Sequence, residues 1–145
     1  MKHDFVIVMK AVIVKDDCVL VLRRSAKERA GSSVDHHEKW DLPGGSLHFF
    51  EKMETGLRRE IKEETNLKVV VGTPISNFDV IRKHIHLCII TCACKWAENE
   101  VCLSDEHEAF FWLTQEEVQA SELPTWMKRD IKDGFERAQE IVVKE

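Results

Sequence analysis

From Met53 to Thr65 the chain is constrained to an amphipathic helix with a crowded acidic side. Met53, Leu57 and Ile61 recur at intervals of four, the stripe of a helix that lays one face on a core. Glu60, Glu63 and Glu64 are related by steps of three, four and one, so their carboxylates gather on one side. Like charges placed this way cost about 0.2–0.5 kcal/mol per pair. A divalent cation offsets that repulsion, and oxygen-only ligands suit Mg²⁺ or Mn²⁺ rather than Zn²⁺. Arg59, four residues before Glu63, can hold one carboxylate in place. Periodicity alone leaves a solvated acidic face as the bland alternative. Asn66 stands where the helix should stop, because Asn tolerates the left-handed conformation.

Around this helix the sequence alternates strands and turns. Phe5 to Val14 and Val19 to Leu22 read as strands about the polar turn Lys15-Asp16-Asp17. Arg24 to Lys39 reads as a long exposed loop, Trp40 to Leu42 as a short strand, and Pro43-Gly44-Gly45 as a turn. Leu67 to Val71, Ser76 to Ile81, Ile85 to Lys95 and Glu108 to Leu113 read as further strands, and Thr114 caps a helical turn. Trp126 to Val142 places Met127, Ile131, Phe135, Ala138 and Val142 on one helical face, with Thr125 as its N-cap. Strands with one internal and one terminal helix predict an α/β fold, a mixed sheet covered on both faces. The 145 residues fit one domain, without repeats or an internal boundary.

The formal charge of −5 guarantees no basic surface, so duplex nucleic acid is not an expected partner. No segment reads as a membrane span or signal peptide, and five cysteines suit a reducing compartment, so the expected location is cytoplasmic. Even spacing puts Cys88, Cys92 and Cys94 on one strand face, where free thiols pack as small hydrophobes. A disulfide or a metal site is the alternative for this trio.

Gly45, five residues, Glu51, seven residues, then Arg59-Glu60-Ile61-Lys62-Glu63-Glu64-Thr65-Asn66-Leu67 resembles the box of the Nudix hydrolases, the MutT-like family. The family writes that box G-x5-E-x7-R-E-U-x-E-E-x-G-U, with U aliphatic. Its last glycine is replaced here by Asn66, which can fill a left-handed turn. Phe50 and Lys52 stand where many members have a glycine and a Ser or Thr cap. Trp40-Asp41-Leu42-Pro43-Gly44 and Glu108 to Leu113 are similar to the family's flanking strands.

The resemblance implies an α/β/α sandwich with a loop-helix-loop box. It puts Glu60, Glu63 and Glu64 on metal-ligand positions, with a backbone carbonyl from Gly45 and a glutamate outside the box, best matched by Glu106. Either Glu60 or that outside glutamate is the expected base that activates water. Glu51 and Arg59 are expected to orient the ligands, while Glu108 begins a strand or pairs with Arg59. The cofactor is Mg²⁺ or Mn²⁺, and the partner is a small nucleotide-like molecule; a homodimer is compatible with the family.

Weaker expectations concern the substrate. Arg23, at a strand end near the site, is a candidate for holding phosphate, and Trp40 and Phe78 are candidates for stacking on a base, with packing as the alternative. His36 and His37 are either phosphate contacts or solvated loop side chains. The implied reaction is metal-dependent hydrolysis of a diphosphate linkage in a nucleoside triphosphate or another nucleoside diphosphate linked to X. ADP-ribose or a nucleotide sugar is the alternative substrate. From another class, a non-catalytic nucleotide- or RNA-end-binding module would be favoured by a degenerate box, and this box is intact.

Overall fold

A computed structural model describes residues 3–31 and 39–144. The elements run Asp4–Lys15 (β1), Cys18–Arg24 (β2), Ala26–Gly31 (α1), Trp40–Asp41 (β3), Gly44–Ser46 (β4), Met53–Thr65 (α2), Lys68–Arg82 (β5), Ile85–Glu98 (β6), His107–Thr114 (β7), Gln115–Ala120 (α3) and Thr125–Ala138 (α4). They build a seven-stranded mixed sheet of order β3-β2-β1-β6-β5, with β4 added to β1 and β7 to β2. The β1–β6 pair is parallel and the others are antiparallel.

Alternation along β1 divides the core. Met9, Ala11 and Ile13 join Leu57 and Ile61 of α2, while Val12 and Val14 join Met127, Ile131 and Phe135 of α4. This is the expected α/β/α sandwich. Leu57 and Ile61 are fully buried, each contributing roughly 1.5–3 kcal/mol by leaving water. Met53, the first member of the stripe, remains exposed.

One opening in the sheet matters most for function. β1 meets β2 at Val14↔Val19 and Lys15↔Cys18, beside the Asp16 turn. Farther along β1, β4 takes the pairing, from Lys10↔Gly44 to Val8↔Ser46. The splayed β1 and β2 leave room for side chains between them.

Several sequence readings need correction. Arg24 to Lys39 is not all loop, because Ala26–Gly31 is helical; the Ser25 hydroxyl accepts from the Glu28 amide and so caps it. His36 and His37 lie outside the described residues. Gly44 and Gly45 belong to a strand rather than a turn, since β1 supplies their partners. Leu67 to Val71 and Ser76 to Ile81 merge into β5, whose register shifts around Pro74 absorb the residue that lacks an amide donor. Helix α4 stops at Ala138, leaving Val142 exposed, and Pro124 rather than Thr125 is its N-cap. The five cysteines are free, with Cys92 and Cys94 packed in the core on the α2 side. Among the described residues no helix is long and apolar enough to cross a membrane.

Candidate active site

Helix α2 presents its acids in two directions. Toward solvent, Arg59 gathers Glu60 through Nη1 at 3.0 Å and Glu63 through Nη1 at 3.3 Å, together with Glu51, which precedes the helix, through Nε at 2.7 Å and Nη2 at 3.0 Å. Nη2 also donates to the Ser46 carbonyl at 3.1 Å, fixing the helix to β4. The Glu51 bonds come first in raising the Arg59 pKa, and the same bonds hold Glu51 down at about 2. Glu108, the alternative partner for Arg59 on sequence grounds, lies exposed in β7.

Glu64 turns the other way. It is 3% exposed, accepts from the Gly44 amide at 3.3 Å, and lines a cavity of about 330 Å³. Burial pushes its pKa up to about 8; Lys10 opposes that rise and Asp41 adds to it. Gly44 has a φ of 142°, and a Cβ there would strike the Met9 carbonyl, so only glycine brings this amide to the acid. At Gly45 a Cβ would collide with the Glu60 carboxylate. The two glycines thus let the backbone close on Glu60 and Glu64. A larger cavity of about 450 Å³ lies by Asp16, Lys95 and Phe135 and contains none of the box glutamates.

Glu106 lines the Glu64 cavity. Its segment is hung across the end of α2 by Cys102 N to Thr65 O at 2.9 Å and Ser104 N to Glu64 O at 3.1 Å, then joined to the residue that follows β2 by Ser25 N to Glu106 O at 3.0 Å. Burial, then Glu28, raises its pKa, with Glu60 contributing. Gly45, Glu64 and Glu106 therefore meet at the cavity, Glu60 lies against Gly45, and Glu63 is 59% exposed on Arg59.

None of the three substrate candidates from the sequence is among the residues lining this cavity. Arg23 pairs with Trp40 across β2 and β3 and holds its guanidinium 5.9 Å from the indole, and Trp40 packs with the α4-side core. Phe78 lies 6.0 Å from Trp126, ring to ring. It is Arg24 that lines the cavity and meets Asp41 Oδ1 at 2.9 Å.

Sequence reasoning missed Lys10, Asp41 and His107. Lys10 had a signal, a lysine inside an apolar strand; Asp41 and His107 had none beyond the flanking motifs. Asp41 accepts from Lys10 at 3.0 Å and is joined to His107 Nε2 at 2.9 Å. Burial alone would raise its pKa, but Lys10, the His107 bond and Arg24 together hold it well below the carboxylate range. Asp41, Glu64 and His107 bring one ligand atom each to within 4.8 Å of the others.

Comparison with known proteins adds to this geometry. The model of the NUDIX domain matches residues 5–133. The chain is similar to a nucleoside triphosphatase NudI of Salmonella newport, at 30% identity, and the match covers 55% of this chain and 64% of that protein. The chain thus spans less than two thirds of that relative's length. A MutT protein from Methanosarcina mazei Go1 superposes with a TM-score of 0.72 at 26% identity, covering 94% of this chain and 96% of that one. An Ap4A hydrolase binary complex from C. elegans gives a TM-score of 0.70 over 94% of this chain and 99% of that one; its 18% identity speaks to the fold alone.

Proposed function

The chain belongs to the NUDIX family, and on that premise we propose that it is a divalent-cation-dependent hydrolase of a diphosphate linkage in a nucleoside triphosphate or another nucleoside diphosphate linked to X. The observation that carries this reading is the buried Glu64 carboxylate, facing a cavity it shares with Glu106 and the Gly44-Gly45 backbone. A carboxylate there is costly without a cation, which is why its pKa rises to about 8. The nearby donor set is oxygen-rich, as Mg²⁺ or Mn²⁺ requires.

Glu60, Glu63, Glu64, Glu106 and the Gly45 carbonyl are the groups we assign to holding the cation. When bound, it would neutralise phosphate oxygens and lower the pKa of water. Arg59 and Glu51 keep Glu60 and Glu63 in position. Glu106 accepts the proton of the attacking water, at the cavity and beside Glu64. One P–O bond forms to the water oxygen, the bridging P–O bond breaks, and the leaving phosphate carries away the electron pair. The triphosphate reading is supported by the activity named for the Salmonella relative.

The test is release of pyrophosphate or phosphate from a panel of nucleoside triphosphates, ADP-ribose and nucleotide sugars, with and without Mg²⁺. Metal-dependent release that favours the triphosphates is expected. No release from any member would overturn the hydrolase reading and leave a binding module.

A further inference from the structure

A lysine within a strand core needs partners for its charge. The Lys10 side chain is 17% exposed, and Nζ donates to Asp41 Oδ1 at 3.0 Å and to the Leu42 carbonyl at 3.2 Å. An ammonium has three N–H donors, and Lys10 lines the cavity shared by Glu64 and Glu106, so a donor with no partner among the described residues can point there. Asp41 is correspondingly engaged. Oδ1 takes both Lys10 and Arg24, and Oδ2 is joined to His107 Nε2 at 2.9 Å.

The close approach of Asp41, Glu64 and His107 has the spacing of a metal site, yet its charges argue against one. A cation at that point would displace Lys10 and Arg24 from Asp41 or sit against them, and His107 has already committed Nε2. The arrangement instead makes one corner of an acidic cavity positive. A group that touches this corner and the opposing glutamates at once is a metal-bound anion, and a phosphate chain has that form. Resting on the diphosphate reading above, we infer that Lys10 donates to a phosphate oxygen of the substrate, and that Asp41 is a positioning residue that aims it, not a metal ligand.

Titration calorimetry on the full chain tests this with two probes, Mg²⁺ alone and inorganic pyrophosphate at saturating Mg²⁺. Lys10→Met should weaken pyrophosphate binding about tenfold or more, while Mg²⁺ binding is unchanged or tighter because a competing cation has gone. Lys10→Arg should recover part of the loss. Asp41→Asn should weaken pyrophosphate as Lys10→Met does and spare Mg²⁺, and the double variant should be no worse than either single one. A general loss of structure would weaken both probes together. Abolished Mg²⁺ binding in folded Asp41→Asn would make Asp41 a ligand and overturn the assignment, and so would unaltered pyrophosphate binding in Lys10→Met. If Asp41→Asn does not fold, by thermal melt, the Lys10 pair of variants decides. A parent that binds Mg²⁺-pyrophosphate but hydrolyses nothing would sink the proposed function alone. A hydrolytic parent whose Lys10→Met variant binds normally would sink this inference alone.

Discussion

Arg59 grips Glu51 with two bonds at once, Nε to Oε2 at 2.7 Å and Nη2 to Oε1 at 3.0 Å, and spends its remaining donor nitrogen on Glu60 and Glu63. A planar fork is needed for that division of labour, and a lysine ammonium cannot supply it. Arg59→Lys should therefore keep the charge but loosen Glu60 and Glu63, lowering Mg²⁺ affinity or turnover roughly tenfold or more. Calorimetry and steady-state rates side by side would check this; a fully active Lys variant would reduce Arg59 to a surface charge.

Burial ranks the two terminal acids of the box. Glu64 is buried at the cavity, whereas Glu63 is mostly exposed. Glu64→Gln should cut turnover by about a hundredfold or more, and Glu63→Gln by less, because electrostatic stabilisation is strongest where water is excluded. Both substitutions should weaken Mg²⁺ binding. Unchanged Mg²⁺ titrations for the pair would remove them from the metal site.

Metal-free protein should lose stability as pH rises, through Glu64. Its folded pKa is pushed up from 4.5 to about 8, with burial the main cause. Below about pH 4.5 the group is protonated in both folded and unfolded chains and opposes nothing. Above that, the unfolded chain ionises first, and stability falls until the folded carboxyl also ionises near pH 8. The loss is on the order of a few kcal/mol. Urea unfolding in chelator at several pH values should show it in the parent and not in Glu64→Gln; parallel curves would contradict it. Added Mg²⁺ should restore the parent most at the alkaline end.

Asn66 closes α2 with φ of 68°, its amide bonded to Lys62 O and its side chain reaching the Glu100 carbonyl at 3.2 Å. Asn66→Val should cost roughly 1–2 kcal/mol, because a β-branched residue resists positive φ. Asn66→Gly should be near neutral: it gains conformational ease and loses the bond to Glu100. A Val variant with the parent's urea midpoint would mean that the helix end tolerates another geometry.

Helix α2 was legible to the residue because a hydrophobic period, a charge pattern and a left-handed stop agree on its limits. Phe50 was legible as an oddity, and it does adopt a φ of 62°. What was not legible depends on long-range pairing. The register shift between Arg23, opposite Ala109, and Arg24, opposite His107, lies between the arginine beside Trp40 and the one on Asp41. No local pattern announces such a bulge. Asp41 and His107 are sixty-six positions apart, and only the sheet makes them neighbours. Helix α1 was hidden for a different reason: Lys27, Glu28 and Arg29 gave it no apolar period to read.

The residue on which sequence and structure can be tested together is Glu106. The resemblance to the Nudix hydrolases selected it, and the backbone bonds from Cys102, Ser104 and Ser25 explain how a loop holds it at the cavity with Glu64. Its neighbour Asp105 is exposed and does not line that cavity. Glu106→Gln should therefore depress turnover about a hundredfold, within the range for loss of a proton acceptor, while Asp105→Asn stays close to the parent. Stability should barely move in either variant, since an exposed loop carboxylate has little packing to lose. The acid limb of the rate profile should also flatten in Glu106→Gln, because the carboxyl that must ionise before it takes a proton is gone. Rates at saturating Mg²⁺ and substrate across pH, with thermal melts alongside, would show this. Parent-like turnover in Glu106→Gln would pass the role of base to Glu60, which stands against Gly45 on the neighbouring turn of α2.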